Sequence, residues 1–173
     1  AQADVLYGFA GDDEIYGLSG NDTIYGGEGN NLVIAGAGDD ELIGGTGNDT
    51  LLGDSGNDTI SGFGGNDIIL GHDGDDAITV GGNGGQGFTT TVDGGAGTNT
   101  LAINYSGITK ISDFVSRSVN SDGLVTLVDA HGGKISYSNI TIASDSWYSG
   151  VSVNEIQYSV YHDSYWSREF VYY

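Results

Sequence analysis

The chain has 173 residues, with 24 acidic against four basic side chains and a formal charge of −20. Such a field excludes nucleic acid and anionic membrane as direct partners. The length suits one compact domain, or a repeat block with an appendage, and the lack of cysteine rules out a disulfide framework.

The charge is not spread evenly. Residues 1–102 carry 17 of the acidic side chains and none of the basic ones; Lys110, Arg117, Lys134 and Arg168 all come later. Asp4-Val5-Leu6-Tyr7 reads as the tail of a unit that the next 72 residues spell out eight times. The units are GFAGDDEIY, GLSGNDTIY, GGEGNNLVI, AGAGDDELI, GGTGNDTLL, GDSGNDTIS, GFGGNDIIL and GHDGDDAIT, from Gly8 to Thr79. The fourth position is always Gly and the eighth always branched aliphatic: Ile15, Ile24, Val33, Leu42, Leu51, Ile60, Ile69 and Ile78. The sixth is Asp13, Asp22, Asp40, Asp49, Asp58, Asp67 and Asp76, with Asn31 as the exception. A fixed short period of this kind signals a repeat architecture.

Each unit divides into a Gly-rich turn of six residues and a strand of three. The eighth side chain faces a core and its two neighbours face out. One turn and one strand cannot close a layer, but two of each can, giving an 18-residue coil with strands in two parallel sheets. Turns 18 residues apart then stack. Asp4, Asp22, Asp40, Asp58 and Asp76 form one column, and Asp13, Asn31, Asp49 and Asp67 the other. Carboxylates at strand spacing repel unless a cation lies between them. Hard oxygen donors without Cys or a suitable His select calcium.

The phrase GGTGNDTLL at Gly44–Leu52 resembles the RTX (hemolysin-type) calcium repeat GGxGxDxUx, where U is a large aliphatic residue. The resemblance extends over roughly residues 1–102. It implies an all-β fold, a parallel β-roll with calcium ions between successive turns on both edges. The metal ligands are then Asp4, Asp13, Asp22, Asn31, Asp40, Asp49, Asp58, Asp67 and Asp76, for about five to eight Ca2+.

Beyond Thr79, Gly81–Thr89 fits the phrase with Gln86 in the ligand slot, and Gly94–Ala102 fits it with Asn99 there. Residues 103–173 form a second, β-rich region that caps the roll or mediates assembly. Its expected strands are Leu101–Tyr105, Ile108–Phe114, Leu124–Asp129, Lys134–Ile142, Val151–Tyr161 and Tyr165–Tyr173. A hairpin turn falls at Asp129–Gly133. The outward positions Tyr16, Ile34, Leu52 and Leu70, joined by Leu32 and Ile68, form an apolar stripe. Either the later residues cover it or it serves self-association, as the roll ends also could.

Catalytic patterns do not survive inspection. Gly53-Asp54-Ser55-Gly56 imitates a serine-protease nucleophile loop but sits in the repeat frame, and no H-E-x-x-H occurs. No apolar run spans a bilayer and no signal peptide is read. The expectation is therefore a secreted, non-catalytic, calcium-dependent protein at the cell surface or outside the cell. Its role is structural or adhesive, with assembly into filaments. The alternatives are a folding and export module of a larger toxin, protease or lipase, or a ligand-binding adhesin module.

Overall fold

The computed structural model describes residues 2–82, 88–105 and 114–142. Among these there is no helix, and the strands build two sheets. One holds β1 (Val5–Tyr7), β3 (Thr23–Glu28), β5 (Glu41–Thr46), β7 (Thr59–Gly64), β9 (Ala77–Gly82), β11 (Thr100–Tyr105) and β15 (Thr141–Ile142), in that order. The other runs from β2 (Glu14–Ser19) through β4 (Leu32–Ala37), β6 (Thr50–Ser55), β8 (Ile68–Asp73) and β10 (Thr89–Asp93) to β14 (Lys134–Ser138), β13 (Val125–Asp129) and β12 (Phe114–Val119). All neighbours pair in parallel except β12 with β13 and β13 with β14. The 18-residue coil is direct in the register: Ile24 stands opposite Leu42, and Leu42 opposite Ile60.

The eighth positions form the spine. Ile24, Val33, Leu42, Leu51, Ile60 and Ile69 have no exposed surface and Ile78 almost none; only Ile15 of the first coil is half-buried. Each buried aliphatic side chain contributes about 2 kcal/mol. Val80, Val92, Leu101, Leu127 and Ile135 continue the core past the repeats.

Each strand from β2 to β9 is six residues long, not three. It takes positions seven to nine of one unit and one to three of the next, leaving a turn of only three residues. The first-position residue is the reason. Gly17, Gly26, Gly44 and Gly53 are buried, and the backbone around them goes on pairing with the adjacent coil. Gly8 N–H donates to the Tyr25 carbonyl at 2.9 Å, and Glu28 N–H to that of Phe9 at 2.8 Å. The turn closes through the fourth-position glycines, all with φ between +111° and +146°. A Cβ there would run into the fourth-position carbonyl of the preceding coil, as at Gly38 against Gly20.

The register changes after β9. Ile68 pairs with Thr91 and Ala77 with Thr100, so the offset grows from 18 to 23 residues. This corrects the expected frame at Gly81–Thr89. The residue that follows Asp67 in its column is the buried Thr90, while Gln86 lies outside the described residues. Five extra residues separate the strands, and a Gly-rich run satisfies the repeat phrase without occupying its place. Asn99 does stand over Asp76, whose N–H donates to Asn99 Oδ1 at 2.8 Å.

The expected hairpin joins β13 to β14. β14 then pairs in parallel with β10, and β15 with β11, so the described part of the later region prolongs both sheets at their edges. It does not lie over the outer face of β2 to β8. There Ile34, Leu52 and Leu70 are half-buried, while Tyr16 and Ile68 are about half exposed. The expected strand Ile108–Phe114 lies outside the described residues up to Phe114, where β12 begins. The expected strands Val151–Tyr161 and Tyr165–Tyr173 lie outside them entirely.

Candidate metal centre

The sixth-position side chains point inward at the two edges, where each turn hands over to the next strand. Asp22, Asn31, Asp40, Asp49, Asp58, Asp67 and Asp76 are all at most 3% exposed. Their Oδ1 atoms stack coil upon coil. Asp22 Oδ1 accepts the Asp4 N–H at 2.8 Å, Asp40 that of Asp22 at 2.7 Å, and Asp58 that of Asp40 at 2.9 Å. Asp76 Oδ1 accepts from Asp58 at 2.9 Å. On the other edge Asn31 accepts from Asp13, Asp49 from Asn31 and Asp67 from Asp49, at 2.9 to 3.0 Å. All nine residues expected as ligands thus fall in their two columns. Asp4, in the first coil, is exposed and Asp13 half-buried.

The second carboxylate oxygen is different. Oδ2 of Asp13, Asp22, Asp40, Asp49, Asp58, Asp67 and Asp76 is buried and has no hydrogen-bond partner. An ionised group left so costs several kcal/mol unless a counter-charge meets it. The Oδ2 atoms aim at the first-position glycines of their own units. A Cβ built on Gly17 would stand 2.6 Å from Asp22 Oδ2 and 2.5 Å from the Ala35 carbonyl oxygen of the next coil. One on Gly44 would meet Asp49 Oδ2 at 2.6 Å and the Gly62 carbonyl at 3.0 Å. Glycine therefore leaves open a cradle in which a carboxylate and a carbonyl from successive coils converge. Ala35 is the single first position with a methyl group, in the Asp40 cradle.

Electrostatics favour a cation in these places. Two carboxylates one strand spacing apart repel by about 3.5 kcal/mol at an effective dielectric constant near 20. Burial raises the Asp58 carboxyl to about 7, with the charges of Asp76, Asp40 and Asp39 adding to it against the N–H of Asp40. Burial likewise lifts Asp67 to about 6, helped by Asp49, and raises Asp40, Asp49 and Asp76. Among the described residues no three His, Cys, Asp or Glu side chains converge. Each cradle accordingly offers at most two carboxylates, with backbone carbonyls for the remainder. That all-oxygen donor set suits Ca2+ and not a softer ion. Bound there, calcium supplies the missing counter-charge; the chain supplies Oδ2, the carbonyls and the open first position.

A second ladder escaped the sequence reading. Fifth-position Oδ1 atoms accept hydrogen bonds from the opposite direction. Asp12 takes the N–H of Asn30 at 2.7 Å and Asn30 that of Asn48 at 2.9 Å; on the other edge Asp39 takes that of Asn57 at 2.8 Å. The signal was present, since this position is Asn or Asp in all eight units: Asp12, Asn21, Asn30, Asp39, Asn48, Asn57, Asn66 and Asp75. Each turn is thus tied upward by one side chain and downward by the next.

Comparison with known families agrees with this geometry. The family model of the RTX calcium-binding nonapeptide repeat matches four times, over residues 1–24, 7–42, 16–51 and 43–78. A search of curated proteins finds no match.

Proposed function

Residues 1–78 being RTX calcium-binding nonapeptide repeats, we propose that this chain is a secreted, non-catalytic β-roll, condensed by extracellular calcium and used as a structural or adhesive element at the cell surface. The observation that carries the reading is the set of seven buried Oδ2 atoms without a partner. They recur in register, so the roll is incomplete without cations. Asp13, Asp22, Asp40, Asp49, Asp58, Asp67 and Asp76 are the ligands, with Asp4 adding its carboxylate to the first gap. With the Ala35 methyl group occupying the Asp40 cradle, about six ions then bind, within the expected five to eight. Sites assembled from two turns and many carbonyls suit the calcium concentrations found outside cells.

Self-association is supported most at the first coil. Val5, Tyr7, Phe9, Tyr16 and Leu18 are 49 to 75% exposed, and β1 and β2 are edge strands among the described residues. Tyr7 stacks on Tyr25 with ring centroids 4.9 Å apart and on Phe9 at 5.7 Å. An exposed apolar edge strand is a template for further strand pairing. Contact between unlike ends would give filaments unless it closes into a ring. Static light scattering through a calcium titration of chelator-stripped protein tests the proposal. Mass rising with calcium and falling with chelator is expected. A mass fixed at one chain while the radius shrinks would refute assembly and favour the export-module alternative.

A further inference from the structure

Asn31 stands where seven other sixth positions bear a carboxylate with an unsatisfied Oδ2, yet no atom of Asn31 is orphaned. Its Oδ1 accepts the Asp13 N–H at 3.0 Å. Its Nδ2 donates to Asp49 Oδ1 at 3.1 Å and lies 3.4 Å from the Gly29 carbonyl. The orientation of the amide follows from these partners. Turned over, it would set oxygen against a carboxylate and a carbonyl, and nitrogen against an N–H donor. The amide therefore points donor hydrogens into the space where its neighbours point a bare oxygen. A Cβ on Gly26 would meet Asn31 Nδ2 at 3.0 Å, in the counterpart on the other edge of the cradle that holds Asp22 Oδ2 beside Gly17.

We infer that the gap between Asn31 and Asp49 takes no calcium ion, and that the Asn31 amide closes this junction of the roll itself. The two gaps flanking Asn31 are then unlike. In the gap below, between Asp13 and Asn31, Asp13 Oδ2 remains unpaired and the Gly26 carbonyl faces the same cradle. In the gap above, a cation would have to face an NH2 group. Ligand counting from sequence gives both gaps one Asp and one Asn, and misses the difference because only the lower residue of each pair presents its second atom to the cradle.

The same device recurs at Asn99. Its Oδ1 accepts the Asp76 N–H at 2.8 Å, while Nδ2 lies 3.2 Å from the Asn139 carbonyl and 3.4 Å from that of Gly95. The amide again seals the upper side, here where β15 follows β11. The roll thus has one junction inside the repeat block, and one at its far end, that hold without metal. The inside one gives the chain a place to begin condensing before any ion binds.

The inference rests on the calcium reading of the other cradles, and one experiment separates the two. Native mass spectrometry at saturating calcium counts the ions on the full chain and on Asn31→Asp. One ion more on the variant is expected, together with a weaker β-sheet signal in chelator. An unchanged count on a folded variant overturns the inference alone. A wild type that binds no calcium overturns it together with the proposed function. If Asn31→Asp does not fold, the wild-type Asn31 side-chain amide decides by NMR: hydrogens that persist in D2O support the closed junction, and rapid exchange refutes it.

Discussion

Replacing Asp58 by Asn should make the roll less dependent on calcium while making it more stable without. Asp58 sits inside the longer column, between Asp40 and Asp76. Its Oδ1 accepts from Asp40, its N–H donates to Asp76 Oδ1, and its Oδ2 has no partner. Its carboxyl is raised from 3.8 to about 7, chiefly by burial. Holding it ionised at pH 8 in the metal-free roll costs about 4 kcal/mol, at 1.36 kcal/mol per pH unit. Some of that is repulsion shared with Asp40 and Asp76, so one neutralisation recovers about 2–4 kcal/mol. Asparagine keeps the Oδ1 acceptor and turns an amide toward Asp76, as Asn31 does toward Asp49. Urea unfolding at pH 8, followed by far-UV circular dichroism in chelator and in calcium, measures both sides. The metal-free midpoint should rise, or the residual β signal should grow where no folded baseline exists. The increment given by calcium should shrink, and native mass spectrometry should lose one ion. Should Asp58→Asn weaken the metal-free protein, or leave the ion count unchanged, the account of the orphaned oxygens is wrong.

Acidity should act in the same direction. Asp58 and Asp67 have folded values near 7 and 6, above their unfolded 3.8, so the metal-free folded state binds more protons than the unfolded one. Its stability is greatest below about pH 4 and is lost as pH rises through 6 and 7. Metal-free protein should therefore gain β structure on acidification from pH 8 to 5, while the calcium midpoint moves to higher concentration; a flat pH response would contradict this. Gly17→Ala puts a methyl group 2.6 Å from Asp22 Oδ2 and should remove calcium binding from that gap, seen as one ion fewer. Leu51→Ala empties a fully buried site at the centre of the spine and should cost about 3 kcal/mol, raising the calcium needed for half-folding. A calcium midpoint equal to wild type would mean that the core does not couple to the edges.

Most of the fold could be read from three positions of the repeat. The eighth named the core, the fourth the left-handed turn, and the sixth the stacked column, because each asks one thing of its side chain. The rest was hidden for particular reasons. Strand length depended on Gly17 and its counterparts, which read as turn residues but are buried between paired backbones. The place of Thr90 depended on an insertion whose glycines imitate the repeat. The difference between the gaps beside Asn31 depended on which face of a side chain looks up, and a column of letters carries no such direction. The pairing of β14 with β10 joins strands 45 residues apart, beyond any local signal.

The second position of the repeat has a further consequence. Its backbone is left-handed whatever the residue: φ is +73° at Phe9 and Leu18, +72° at Asp54, +62° at Phe63 and +74° at His72, as it is positive at Gly27, Gly36 and Gly45. A side chain there costs about 1 kcal/mol that glycine would not. Phe9, Leu18 and Phe63 are nevertheless more than half exposed, so packing gives little back beyond the stacking of Phe9 on Tyr7. The coil thus has an address at each edge that the core neither reads nor restrains. Leu18, Gly36, Asp54 and His72 occupy one such rail at successive steps, and Phe9, Gly27, Gly45 and Phe63 the other. Side chains are carried at Phe9, Leu18, Asp54, Phe63 and His72, whereas a Cβ on Gly27, Gly36 or Gly45 would run into the second-position carbonyl of the preceding coil, so the surface of the roll can diverge at some steps of each rail while others stay bound to glycine.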